Sequence, residues 1–172
     1  MVYFVLKFNL SNMNYRYLLV LLLPFFALLG CQSEPEDQYT ELDLLEYGIP
    51  VTIMAPDSTN IKSSDLGGLM KDVTVKGEGN YDLQILASST NSSDIARAKA
   101  EALSNVKGKR YFSKIVDESA DGFLYEMQLD TNQIYYGFRH IVLQADQEII
   151  FSQGMTSTLS REEAERVYEA VK

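Results

Sequence analysis

The sequence of 172 residues contains no tryptophan, a single cysteine, Cys31, and a single histidine, His140. One cysteine cannot form an intramolecular disulfide. One histidine excludes a metal site built from several histidines and leaves His140 as the only histidine base for a hydrolytic triad. The absence of tryptophan disfavours a stacking platform for sugars. These absences restrict the disulfides, metal sites, hydrolytic triads and sugar-binding sites that the chain can form.

Basic residues are also few, with 15 Lys and Arg against 24 Asp and Glu and a net charge of −9. Residues 1–30 hold Lys7 and Arg16 but no acid, so the remainder carries −11. Nucleic acid is therefore excluded as a partner, because phosphate binding needs a basic surface. The sequence has no G-x-S-x-G elbow, phosphate-binding loop or G-x-G-x-x-G turn. We therefore expect no cofactor and no enzymatic activity.

The longest apolar run, residues 17–29 (YLLVLLLPFFALL), is too short to span a bilayer, which takes about 20 helical residues. Its length fits the apolar region of a signal peptide, and Arg16 supplies the positive charge that precedes such a region. Pro24 would disturb a permanent membrane helix but is harmless in a segment that is removed. This stretch predicts an exported protein.

The run ends in Leu28-Leu29-Gly30-Cys31, which resembles the lipobox of bacterial lipoproteins. The resemblance implies cleavage after Gly30, acylation of the Cys31 thiol, and anchoring to a lipid membrane through that residue. Dual or triple acylation holds a protein stably on a membrane, whereas one chain holds it only marginally. The alternatives are a secretory signal cut elsewhere, or a buried first helix in which Cys31 is an ordinary apolar residue. Met13 begins a more compact leader than Met1 and is an alternative start.

Three segments follow from this pattern: a signal peptide at 1–30, a lipidated cysteine with an acidic tether at 31–40, and one globular domain at 41–172. The tether sequence, QSEPEDQYT, is polar and acidic and is typical of a solvated linker. Its acidic residues behind Cys31 also resemble the export signal of Bacteroidota surface lipoproteins. The expected location is the cell envelope, at the outer membrane, on its periplasmic or surface face.

The domain alternates between strand and helix patterns. A period of two, broken by turn residues, predicts strands at 42–54, 72–76, 81–88, 111–117, 122–129, 133–144 and 148–155. Apolar residues at helical spacing predict a helix that Ser92 or Ser93 caps and Gly108 ends. Ser160-Arg161-Glu162-Glu163 reads as a capping box that opens a second helix.

This order predicts an α+β fold with a mainly antiparallel sheet of about six to eight strands and two helices packed on it. Together with the stretch from Gly48-Ile49-Pro50 to Ala55-Pro56 and the terminal helix, it resembles the PsbP-like α/β/α sandwich. That family of small extrinsic proteins implies binding or assembly rather than catalysis.

Three groups of residues are candidates for a site. We interpret His140 as a half-buried sheet residue, with a catalytic role as the alternative. Lys107, Lys109 and Arg110 read as cations at the negative end of a helix dipole, or else as a phosphate site. Tyrosines and phenylalanines that fill the core could alternatively line a partner surface; they are Tyr111, Phe112, Tyr135, Tyr136 and Phe138.

The sequence thus supports two functions. The first is a membrane-anchored envelope lipoprotein that binds or helps to assemble another envelope protein without catalysis. The second is an envelope hydrolase with His140 as its base, which requires a concave pocket where His140 lies beside a carboxylate and a Ser or Thr hydroxyl.

Overall fold

The computed structural model describes residues 39–172, which form nine strands and two α-helices. The strands are β1 (Tyr39–Asp43), β2 (Thr52–Pro56), β3 (Thr59–Asp65), β4 (Met70–Gly77), β5 (Asp82–Ser89), β6 (Phe112–Glu118), β7 (Gly122–Asp130), β8 (Gln133–Gln144) and β9 (Gln147–Gln153). The helices are α1 (Ile95–Lys107) and α2 (Arg161–Glu169). The predicted leader, Gly30 and Cys31 lie outside the described residues.

All strand pairs are antiparallel, and they form two sheets. Strands β1 and β2 make a two-stranded sheet, with a 3-10 turn at Leu45–Tyr47 between them. The other seven strands form one sheet in the order β3-β4-β5-β9-β8-β7-β6. The contact between β5 and β9, where Ile85 pairs with Phe151, joins the strands before α1 to those after it. The chain is therefore α+β, as the sequence predicts.

The central strands of the large sheet are apolar on both faces. Phe138 belongs to one hydrophobic cluster and Ile141 to the other, and the neighbours Ile149 and Ile150 divide in the same way. Because side chains alternate between the two faces of a strand, these clusters lie on opposite sides of the sheet. Helix α1 covers one face, whereas α2 and the two-stranded sheet cover the other.

Local turn chemistry explains the hairpins that the sequence predicts. The turn from β4 to β5 places Gly79 at φ 65° and Asn80 at φ 59°, two residue types that tolerate the left-handed region. The connection from β8 to β9 is shorter, with only two residues, and Ala145 takes φ 56° there. Tight turns of this kind match the twist of the strands they join.

Several predicted boundaries need correction. Strand β3 was not predicted, because Ile61 is its only apolar residue and it lies at an exposed edge of the sheet. The stretch 42–54 is two strands separated by the Leu45–Tyr47 turn, and β2 continues to Pro56, two residues past the predicted end. Strand β9 ends at Gln153, two residues before the predicted end.

The two helices differ in how well their caps were predicted. Asp94, not Ser92 or Ser93, caps α1 by accepting a hydrogen bond from the Arg97 backbone amide. The capping box of α2 is confirmed, with reciprocal bonds between Ser160 and Glu163. Neither helix of residues 39–172 combines the length and the apolar character needed to cross a bilayer.

Gly122 offers a test of how tightly the α2 face is packed. A Cβ at this position would lie 2.5 Å from both the Arg139 carbonyl oxygen and the Tyr168 hydroxyl. We expect Gly122→Ala to lower the free energy of unfolding by about 1–3 kcal/mol in urea titrations, as overpacking does. Gly108→Ala is the control, because its Cβ would meet nothing closer than 3.5 Å. Equal stability of the two variants would contradict this packing.

Candidate functional site

A groove of about 480 Å³ lies between the two-stranded sheet and the β8–β9 hairpin. Apolar side chains contributed by both sheets and by the chain after α2 line much of it: Leu45, Pro50, Val51, Val142, Phe151 and Val171. Polar groups complete its wall, namely Asp43, Thr52, His140, Gln144 and Lys172. The groove wall is therefore mixed, and more of its exposed surface is polar than apolar.

His140 is the most enclosed polar residue of this groove. It is only 4% exposed, so the expectation of a half-buried histidine underestimates its burial. Its ring lies 5.7 Å from the Phe151 ring and 6.3 Å from the Tyr168 ring, measured between centroids. These contacts arise because residues 138, 140 and 142 of β8 point to the face that α2 covers. The imidazole is thus held in place by packing on two sides.

The Nδ1 atom of His140 is buried and makes no hydrogen bond. The nearest carboxylate oxygen is Oδ1 of Asp121, at 3.8 Å, which is beyond hydrogen-bond distance. That oxygen instead accepts a hydrogen bond from the Ser119 hydroxyl at 2.8 Å, and Ser119 also shares a bond of 3.0 Å with the Tyr168 hydroxyl. Asp121 is therefore committed to Ser119 rather than to the imidazole.

Burial dominates the electrostatics of His140. Loss of hydration lowers the pKa of the imidazole, the Asp121 carboxylate opposes that change, and the Lys172 ammonium adds to it. The side chain is accordingly neutral at pH 7. Lys172 itself is held at this end of the groove by Glu169, at 2.6 Å, and by the Tyr168 ring, 4.0 Å below its ammonium.

The structure brings together part of the hydrolytic arrangement. His140 lies in a concave groove, Asp121 is near its Nδ1, and Thr52 supplies a hydroxyl to the same groove. Among residues 39–172, however, no hydroxyl group forms a hydrogen bond with His140, whereas nucleophilic catalysis needs the base within about 2.6–3.2 Å of its nucleophile. The geometry fits a binding wall better than an assembled triad.

Cations at the end of α1 lie over aromatic rings. The Lys109 ammonium is 5.6 Å from the centre of the Tyr125 ring, and the Arg110 guanidinium is 5.2 Å from that of Tyr111. Arg139 approaches the same Tyr125 ring at 5.8 Å. Lys107 occupies the last turn of α1, where a cation complements the helix dipole. These contacts support the interpretation of the cluster as structural.

The aromatic residues do not form one surface. Phe138 is fully buried, and the others are partly buried and divided between the two hydrophobic clusters. Tyr136 belongs to the α2 face, whereas Tyr111, Phe112 and Tyr135 belong to the α1 face. The core interpretation is confirmed for Phe138, whereas the other four pack against the two clusters with part of their surface exposed.

Glu126 is a buried acid that sequence reasoning did not identify. It accepts hydrogen bonds from Ser113 at 2.8 Å and Tyr136 at 3.3 Å, and Lys114 lies 3.3 Å away. The bond from Ser113 is the main reason that the pKa of Glu126 is lowered, despite its partial desolvation. Since its oxygens already have these partners, Glu126 serves the fold between β6, β7 and β8.

No group of three His, Cys, Asp or Glu side chains in residues 39–172 is placed to hold a metal ion. The chain matches no protein-family model, and no curated protein shows significant similarity to it. Of the groove residues, sequence reasoning found only His140. Asp43, Thr52 and Lys172 carried no motif, and they meet His140 only because the two-stranded sheet and the chain after α2 pack on β8.

The pKa of His140 predicts a pH dependence of stability. Because its pKa in the folded protein lies below the unfolded value of about 6.5, the unfolded chain binds the proton more strongly as the pH falls. Stability is therefore lost below about pH 6.5, by at most about 1.4 kcal/mol per pH unit from this group.

Urea unfolding of the wild type and of His140→Gln between pH 7.5 and 5.5 measures this contribution. Glutamine does not titrate, and the carboxylates are the same in both proteins, so their shared acid sensitivity cancels. We expect the wild type to lose stability relative to the variant as the pH falls. A difference that stays constant over this range would show that His140 is not held neutral by burial.

Proposed function

We propose that the protein is a lipid-anchored lipoprotein of the cell envelope whose domain binds a partner or ligand through the His140 groove without catalysing a reaction. The observation that carries this proposal is the state of His140. Its ring is packed between Phe151 and Tyr168, it is almost completely buried, and no hydroxyl is bonded to it. A histidine held in this way shapes a binding wall and offers little to proton transfer.

The dimensions and chemistry of the groove support binding. Its volume of about 480 Å³ falls within the range of small-ligand sites, about 300–1,000 Å³. Val142 can contact an apolar part of a ligand, while Thr52 and Gln144 can form hydrogen bonds with its polar groups. Asp43 and Lys172 add charges of opposite sign. A peptide segment or another amphipathic group has the mixed character that such walls accommodate.

The proposed location in the cell envelope is supported by the amino-acid sequence. The short apolar run at 17–29, the box that ends in Cys31 and the acidic tether together support export and acylation. The proposed relation to PsbP-like binding proteins is supported by an antiparallel sheet with a helix on each face. Fold likeness by itself does not carry function.

Crosslinking in intact cells tests the proposal with the full-length chain and three variants. Cys31→Ala removes the acylated thiol, Thr52→Arg places a large side chain in the groove from an exposed position, and Ser64→Arg makes the same change on exposed β3. Alkyne-palmitate labelling monitors acylation in parallel.

We expect the wild type and Ser64→Arg to capture the same envelope component and to incorporate palmitate. Thr52→Arg should keep its palmitate but lose the captured component. Cys31→Ala should lose the label and leave the membrane fraction. Capture that is undiminished in Thr52→Arg would exclude the groove, and labelling of Cys31→Ala would exclude this residue as the anchor.

The hydrolase remains the second candidate, because Thr52, His140 and Asp121 lie at or beside one groove. A β-lactone probe, which acylates activated hydroxyl nucleophiles, distinguishes the two functions. Under the binding proposal the full-length protein is not labelled. Labelling that disappears in both Thr52→Ala and His140→Gln would replace binding with hydrolysis.

A further inference from the structure

Strand β8 is longer than the strand beside it. It has 12 residues, whereas β9 has seven and pairs with only the second half of β8, from Arg139↔Ser152 to Gln144↔Gln147. The first half of β8 therefore extends past the end of β9 together with β7. The backbone groups on that side of β8 must find other partners or remain open.

The N–H groups that point away from β7 belong to alternate residues of β8. The Phe138 N–H donates to Oε1 of Gln153 at 3.2 Å, so a side chain continues the hydrogen bonding where β9 ends. The Tyr136 N–H donates to the Leu159 carbonyl oxygen at 2.9 Å. The next residue of this series is Ile134, and no protein group in residues 39–172 bonds its N–H on that side.

The orientation of Ile134 is fixed by its neighbour. The Gln133 N–H points towards β7, where it donates to Oδ1 of Asp130 at 2.9 Å. Successive N–H groups of a strand point in opposite directions, so that of Ile134 points to the open side. The N–H of Asn132, which precedes the strand, is already bonded to Oδ1 of Asp130. The open hydrogen-bonding edge is therefore the backbone of Ile134, in line with β9 and Leu159.

A second groove, of about 450 Å³, lies at this open edge. It runs between the start of β8 and the segment that leads into α2, and it is more apolar than the His140 groove. Leu129 and Ile134 are 43% and 45% exposed here, although both are large apolar residues. Buried Leu159 forms part of the opposite wall. Open backbone groups and an apolar groove therefore coincide.

We propose that this edge binds an extended peptide segment of a partner protein, which adds to the sheet as a short β-strand beside Ile134. The N–H and C=O of Ile134 bond the peptide backbone, and one apolar side chain of the peptide enters the groove between Leu129 and Leu159. This is strand addition, in which backbone bonds give affinity and alternate side chains give specificity. The site is separate from the His140 groove and does not depend on it.

Other edges and occupants fit less well. Strand β3 also has a free edge, but its exposed side chains are mostly polar and Lys62 lies at its centre. A lysine on an edge strand is a common protection against pairing. Strand β6, at the opposite edge, is interrupted by two register shifts. Both edges are therefore less suited to an apolar peptide strand than the edge at Ile134.

A phage-displayed library of random peptides, selected against the full-length protein, supplies the probe. We expect enriched peptides to carry apolar residues at alternate positions. Ile134→Pro removes the outward N–H and should weaken their binding about tenfold, because a peptide carbonyl loses its donor. An outward-facing N–H at an edge is also where a strand tolerates proline. Ile134→Val keeps the N–H and should bind like the wild type.

Amide hydrogen exchange of the wild type provides a readout that does not depend on how Ile134→Pro folds. Exchange at Ile134 should slow when the selected peptide binds, and exchange along β3 should not change. Protection of β3, protection of the His140 groove alone, or failure to enrich any peptide would overturn the proposal. A peptide-independent dimer that protects Ile134 would assign the edge to a second copy of this chain.

Discussion

The requirement that both faces of β8 be covered organises the whole domain. Phe138 and Ile141 on this strand belong to different hydrophobic clusters, so the sheet needs a layer on each side. Helix α1 supplies one layer, and α2 with the two-stranded sheet supplies the other. Because burial of apolar surface is the main favourable term in folding, these layers follow from the alternation along one strand. The His140 groove and the open edge at Ile134 both lie where the elements that cover or extend the large sheet end.

The His140 groove forms where the covering layer of the α2 face is incomplete. The two-stranded sheet is only five residues long in each strand, and α2 ends at Glu169, so neither seals the second half of β8. His140 faces this gap beside Phe151 and Val142. A leucine there would bury more apolar surface at no cost in unsatisfied polar atoms. The buried, unbonded Nδ1 of His140 thus breaks the rule that buried polar atoms are paired, and such departures are common at functional sites.

Sequence reasoning succeeded where the determining signals are local. The capping box at Ser160 and the break between the predicted strands at 133–144 and 148–155 are decided within a few residues. The structure has the capping box, and it has a turn at that break, one residue shorter than predicted. Sequence reasoning missed β3, because an edge strand buries little and needs few apolar residues to form. It also chose the wrong cap for α1, since Ser92, Ser93 and Asp94 are all good capping residues and only the backbone conformation selects among them.

The two sites could not have been predicted, because each depends on non-local pairing. Asp43 and Lys172 reach the same groove from opposite ends of the described chain. The open edge exists because the chain leaves the sheet at Gly154, where a Cβ would collide with the Asp82 carboxylate, and returns only at Leu159. Gln153 then fills the gap with its side chain, accepting from Phe138 and donating to the Tyr125 hydroxyl. Gln153 and the Leu159 carbonyl together satisfy the outward N–H groups of Phe138 and Tyr136. Within β8 this leaves Ile134 as the residue whose outward N–H and carbonyl are open to an incoming strand.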